Sequence, residues 1–358
     1  MALQLIIGGG IAGLAAAWEA VRSGAEVVLV EASAEFGGKV RTEQVAGLLI
    51  EEGPDSFVAY RPAALQLIDE LGMSDELISV GTNRTVHLRS RGQLLPLPAG
   101  MGMVLPSRLG PFLSTRILRW PDKLRAALDL VLPRRLGADD VSIGAFLRAR
   151  LGDGIVRRFA DPMLGGIYGA GVDELSLDAV LPILREHEGA YRSLLIASLA
   201  QGRRAARSAG GATRGPSSPF RSLRGGMGSL PERLVEALRA GGADLRTGVA
   251  VTALRRVGGL TEATLSDGST LTVDAVVLAG GVRSSADLLA DEVPDAAAAL
   301  RRVPLSGSTV VTLAYPKAAF RESMTSHGWL EADPAPVSGI TISSAKWAGR
   351  APEGTVLV

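Results

Sequence analysis

The sequence predicts an α/β chain, α+β overall, whose opening parallel sheet is interleaved with later domains instead of being finished before they begin. Three observations predict this. The first 31 residues read as strand, glycine-rich turn, helix and second strand; the periodicity becomes helical from Asp122; and strand-type segments return at Leu245–Leu254 and Thr270–Gly281. A chain of 358 residues also exceeds what one core usually organises, so two or three domains are expected.

Leu3–Ile7 is a short apolar run suited to a buried strand, Ile11–Ser23 an alanine-rich helix stopped by Gly24, and Glu26–Glu31 the second parallel strand. Between the first strand and the helix stands Gly8-x-Gly10-x-x-Gly13. The first glycine makes the tight turn, the second lets backbone approach a pyrophosphate, and the third lets helix and strand pack closely. The phosphates are expected at the helix N-terminus, at Ile11 and Ala12, where free amides and the macrodipole favour an anion by about 0.3 to 1 kcal/mol per charge. Glu31 closes the second strand, followed by Ala32, at the place where a carboxylate can accept both hydroxyls of an adenosine ribose. An acid there disfavours a 2'-phosphate, so NADP is not expected.

Composition excludes much else. With 38 basic and 37 acidic side chains nothing in the totals calls for nucleic acid. The chain has no cysteine, which removes disulfides, thiolate metal sites and a cysteine-linked flavin, and fits a cytoplasmic protein. His87, His187 and His327 are too far apart for a zinc helix, and no metal is expected. The uncharged stretch Met1–Trp18 has no preceding lysine or arginine and is interrupted by Gly8, Gly9, Gly10 and Gly13, so it is not read as an export signal.

After Glu31 comes Ala32-Ser-Ala-Glu-Phe-Gly37-Gly38-Lys39-Val-Arg41-Thr42, which resembles the extended dinucleotide fingerprint of the amine-oxidase and phytoene-desaturase flavoproteins. Gly37 and Gly38 permit a loop to close over the phosphates, and one of Lys39 and Arg41 is expected to neutralise them; the alternative for either cation is a solvated surface charge. Glu51-Glu-Gly53-Pro54-Asp55-Ser56-Phe57 is similar to the segment beneath the flavin in bacterial oxygen-dependent coproporphyrinogen and protoporphyrinogen oxidases. Asp161–Tyr168 with Asp173–Leu177, Phe220–Pro231, and Lys346-Trp347 with Ala351–Gly354 resemble the same family, so the likeness runs the whole length.

The resemblance implies FAD as cofactor, a porphyrinogen substrate, dioxygen as acceptor and a place in haem synthesis beside downstream haem-pathway enzymes. It implies a Rossmann-like FAD-binding domain from residues 1–70 and 220–290, a mixed-sheet substrate domain from 71–106 and 291–358, a helical insertion at 107–205 and a flexible loop at 206–219. Val251 would offer its backbone to the adenine, and the Ala279-Gly-Gly turn would pass close to the cofactor. Substrate loses hydride to the flavin, assisted by a delocalised cation, so the protein chiefly orients and shields, and no catalytic acid or base is nominated. The segment type looks more like enzymes making coproporphyrin III, with protoporphyrinogen IX as the alternative.

Other residues stay open at this level. Arg61 precedes a short amphipathic helix started by Pro62, with Leu65, Ile68 and Leu71 at three-residue spacing and Gly72 at its stop. The family carries a basic residue there, which suggests pairing with a substrate propionate; a surface arginine is the alternative. Pro54-Asp55-Ser56 could be chosen by turn geometry alone. Leu124, Ala127, Leu128 and Val131 share one helical face, and Ile143, Phe146 and Leu147 another. Met101–Trp120 mixes apolar residues with Arg108, Arg116 and Arg119 and could lie on an anionic membrane surface, or simply pack in a core. Gln201–Pro219 reads as a mobile loop. Thr355–Val358 stops inside an expected strand without the family's closing segment, so a truncated, non-catalytic FAD- or tetrapyrrole-binding remnant is the second reading.

Overall fold

A computed structural model describes residues 2–80, 86–102, 104–208, 220–320 and 326–358. Strand β1 (Leu3–Ile7), helix α1 (Ile11–Arg22) and strand β2 (Glu26–Glu31) form where the sequence places them, with Leu5 opposite Val28 in parallel register. The remaining neighbours come from far along the chain. Strand β3 (Asp244–Thr247) pairs parallel with β2, and β4 (Ala275–Leu278) with β1, giving the order β3-β2-β1-β4.

This sheet is covered on both faces, which is why its central strands are nearly continuous apolar runs. Ile6 and Leu29 pack with Leu14 and Ala17 of α1 and with Leu234 and Leu238 of the helix Ser229–Ala240. Leu5, Val28 and Val30 point the other way, onto Ala263, Leu265 and Val273 of a three-stranded antiparallel sheet. Each buried Leu, Ile or Val among these contributes about 1.5–3 kcal/mol by leaving water.

Two expected strands are each divided. Leu245–Leu254 breaks at Gly248, whose φ of +69° turns the chain out of the parallel sheet, and resumes as Val251–Val257 in the antiparallel one. Thr270–Gly281 likewise divides into Thr270–Val273 and β4, one in each sheet. The intervening strand Leu260–Leu265 has no counterpart in the sequence reading.

A second sheet of four strands, ordered Gly339–Thr341, Gly328–Glu331, Val86–Ser90 and Gln93–Pro96, joins early and late segments. A smaller sheet sets Phe220–Leu223 between Phe57–Val58 and Leu77–Ser79. Between them in sequence lies the helical region, built on Ile143, Phe146, Leu147, Phe159 and Leu164. Its central tie is ionic: Arg150 and Asp129 are both fully buried and meet at 2.5 Å, with Glu188 3.4 Å from the same guanidinium.

In this region one face left open by the sequence is oriented and one reading is corrected. The face formed by Leu124, Ala127, Leu128 and Val131 turns outward; in helix Trp120–Ala127 it is Lys123 and Ala126 that are buried, because Lys123 reaches inward to the Leu113 and Thr115 carbonyls at 2.6 and 2.8 Å. Gln201–Ser208 is not loop but the end of helix Leu194–Ser208, where alanines, arginines and glutamine, all good helix formers, outweigh Gly202. Residues 209–219 of the expected loop, and Met103, lie outside the described residues.

Candidate functional site

The turn after β1 is built by its glycines. Gly8 has φ +108°, and a Cβ on it would meet Gly280 N at 2.8 Å. A Cβ on Gly13 would strike the Gly8 carbonyl, so α1 can sit this close to the turn only with glycine there. Gly10 is the residue before the first helical turn and offers no side-chain cap, which leaves the amides of the first turn, at Ile11, Ala12 and Gly13, without an intrahelical partner. Ala12 is exposed and Ile11 half-buried.

Glu31 reaches back across this turn. Its Oε2 accepts Gly9 N at 2.6 Å, and its Oε1 accepts Ser33 N and Ser33 Oγ at 2.8 and 2.7 Å. Burial opposes ionisation, but these bonds outweigh it and hold the carboxyl below its usual range. Ser33 was not singled out in the sequence; its signal was the serine two residues past a strand-terminal acid, a frequent turn pattern.

Glu31, Ala32, Gly8, Val251, Gly280 and Gly281 line one cavity of about 210 Å³. Ala279 adjoins it, donating its amide to Ile7 at 2.8 Å. The pairing of Val251–Val257 with its neighbour shifts register between Val251 and Ala253, a bulge at the cavity wall that re-aims the strand. A larger apolar cavity, about 350 Å³, lies between Tyr315, Phe320, Trp329, Ile340 and Ile342 and contains none of the nominated residues.

The second loop closes over the first. Gly37 N donates to Gly9 O at 2.8 Å, and Gly10 and Gly37 form a parallel bridge. Of the two cations that follow, Arg41 is engaged by Glu35 and Glu52 at 2.6 and 3.4 Å, whereas exposed Lys39 has no ion pair among the described residues. A Cβ on Gly53 would strike the Lys39 carbonyl, so the Gly53–Ser56 segment is packed directly on this loop, with Pro54 exposed.

Asp55 is a junction. Its Oδ2 accepts Lys346 Nζ at 2.6 Å and Trp347 Nε1 at 2.9 Å, its Oδ1 accepts Ser56 Oγ at 2.7 Å, and its carbonyl accepts Ser222 Oγ at 2.8 Å. Burial raises its pKa, yet the Lys346 charge and these bonds hold it below the usual carboxylate range. Three segments with a family likeness, 51–57, 220–231 and 346–354, thus converge on one residue. Arg61 is not part of this junction: it is exposed at the start of helix Pro62–Glu70 and borders neither cavity.

The model of the family described as flavin containing amine oxidoreductase matches residues 11–358. The chain belongs to this family. A coproporphyrinogen III oxidase of Propionibacterium freudenreichii is 57% identical over 99% of this chain and 71% of its own length; that of Bacillus subtilis is 33% identical over 99% and 76%. A solved structure from Exiguobacterium sp. 255-15, described as a proposed protoporphyrinogen oxidase, superposes with a TM-score of 0.80 at 30% identity, covering 99% of this chain and 76% of that one. As a flavin-containing amine oxidoreductase the chain uses FAD, and the turn fits it: a Cβ on Gly10 would meet no atom nearer than 4.0 Å, so the backbone lies open to a phosphate beside the cavity that Glu31 borders. Among the described residues no helix is long and apolar enough to cross a membrane, and no group of side chains could hold a metal ion.

Proposed function

We propose that the protein is an FAD-dependent oxidase of porphyrinogens, with coproporphyrinogen III as the favoured substrate and dioxygen as the acceptor, acting in haem synthesis. The observation that carries this reading is the junction at Asp55, where the segments resembling the porphyrinogen oxidases meet; the name of the 57% identical relative supports it. Protoporphyrinogen IX is the second reading, favoured by the assignment of the Exiguobacterium structure.

In this reading the Glu31 carboxylate accepts the ribose hydroxyls, and the amides following Gly10 meet the pyrophosphate, whose charge Lys39 offsets. Gly8, Gly13, Gly37 and Gly38 allow the close approach, Val251 and Ala279 border the adenosine half, and Gly53–Ser56 faces the flavin ring. Arg61 anchors a propionate through its planar guanidinium. FAD, when bound, supplies the two-electron acceptor for each oxidation. The chain's own share is to orient the substrate and exclude water; no side chain here is assigned a proton to move.

Peripheral attachment to an anionic membrane also belongs to this reading. Leu109, Leu113, Trp120, Leu124, Leu128 and Val131 are between 43% and 70% exposed, with Arg116 and Arg119 exposed beside them. The test of function is an absorption band at about 450 nm in the purified protein, followed by porphyrin fluorescence on adding each porphyrinogen, with the enzyme-free air oxidation subtracted. No flavin band and no rate above that control would defeat it.

A further inference from the structure

Two ion pairs join the same two segments with the same spacing. Asp55 pairs with Lys346 at 2.6 Å, and Glu51 pairs with Arg350 at 3.0 Å, so residues four apart on one segment meet residues four apart, in reverse order, on the other. Ser222 stands between the pairs, donating its hydroxyl to the Asp55 carbonyl at 2.8 Å and accepting Arg350 Nη2 at 2.8 Å.

The pairs differ in their surroundings. Arg350 is 1% exposed, Glu51 also takes Met227 N and Thr42 Oγ1 at 3.0 and 2.6 Å, and burial pulls the Arg350 pKa down against the opposing charges of Glu51 and Asp55. This inner pair is part of the folded core, and losing one partner would strand a buried charge. Lys346 and Asp55 keep 18% and 24% exposure, with Lys346 Nζ lying 5.2 Å from the Trp347 ring centre and 5.8 Å from that of Phe220. A partly exposed pair adds less to folding than the inner one. It does neutralise and hold the one carboxylate of the segment that packs, through Gly53, on the Lys39 carbonyl and so on the loop over Gly9 and Gly10.

We infer that Lys346 is a positioning residue for cofactor binding, acting through Asp55 on the Gly53–Ser56 segment, while Arg350 serves the fold. The inference rests on the FAD reading given above. Without Lys346, Asp55 carries an uncompensated negative charge toward a cofactor that is itself an anion, and its Oδ2 keeps one of its two donors, Trp347 Nε1.

The test compares wild type, Lys346→Met, Lys346→Arg and the double variant Lys346→Met/Asp55→Asn, reading the FAD dissociation constant by fluorescence titration and the urea midpoint of the flavin-free protein. Lys346→Met should weaken FAD about tenfold, the scale of a charge-assisted bond lost, with the flavin-free midpoint close to wild type. Lys346→Arg should retain affinity, and the double variant should recover most of it, because the lone charge has gone. Equal FAD affinity in wild type and Lys346→Met overturns the positioning role alone. A fall in midpoint that matches the loss of affinity makes Lys346 merely structural, which also overturns it. Absence of FAD uptake by the wild type removes the cofactor reading and this one together.

Discussion

The carboxylate of Glu31 accepts the backbone amide of Gly9 at 2.6 Å, tying the end of β2 to the glycine turn that follows β1. Ser33 holds the other oxygen of the same group, so both oxygens of the Glu31 carboxylate are fixed in orientation.

Replacing Glu31 with alanine should therefore lower FAD retention about 10- to 100-fold, the loss expected for hydrogen bonds to a charged group. Folding should survive, since Glu31 lies at a strand end and not in the core. Flavin content after purification and the circular dichroism spectrum check the two halves; equal flavin content would sink the assignment.

Arg61→Ala should raise the KM for coproporphyrinogen III more than it lowers kcat, because an anchor holds substrate and transition state alike. The structure leaves this arginine exposed at the helix start, with no side-chain ion pair among the described residues to break before it reaches a carboxylate. Steady-state kinetics decide, and an unchanged KM returns Arg61 to the surface.

Acid should loosen the Asp55 junction. Its folded pKa is depressed, so its contribution to stability is complete above the ordinary carboxyl value of 3.8 and is lost as pH falls through the lower folded value. Melting temperatures followed from pH about 6 downward should fall more steeply for wild type than for Asp55→Asn. Parallel curves would show that Asp55 gains nothing from being charged.

The buried pair of the helical region should behave differently. Arg150→Met leaves Asp129 buried without its cation, at a cost of about 3–5 kcal/mol, visible in urea unfolding. Replacing Arg150, Asp129 and Glu188 together with apolar residues should restore much of that loss, and a single variant as stable as wild type would contradict the reading.

Vesicle binding tests the outward apolar face. Wild type should co-sediment with anionic vesicles at low salt and release at high salt, and Trp120→Ser with Leu124→Ser should bind less. Failure of the wild type to co-sediment rejects the attachment.

The opening unit was legible residue by residue, because the glycine spacing, the apolar strands and the terminal acid are all local signals. The divided strands were not, since a run such as Leu245–Leu254 stays apolar while the chain changes sheets at Gly248. Nor could the sequence tell which way the Leu124 face turns, because its inner counterpart is a lysine satisfied by two carbonyls. The Asp55–Lys346 pair joins residues 291 positions apart, and no periodicity reports such a partner.

The strand order β3-β2-β1-β4 has a consequence for biosynthesis. Both neighbours that complete the first-made pair of strands are translated only after the helical region, so Gln4 waits for Ala275 and Val28 for Asp244. At about 5–20 residues per second the ribosome leaves β1 and β2 without those edges for roughly ten to fifty seconds. During that interval two apolar strands can recruit wrong partners, and closing so long a loop slows the correct pairing once it becomes available. The nucleotide turn, first to be synthesised, is thus among the last parts to acquire its final shape, and nascent chains should need chaperone cover until β4 has emerged.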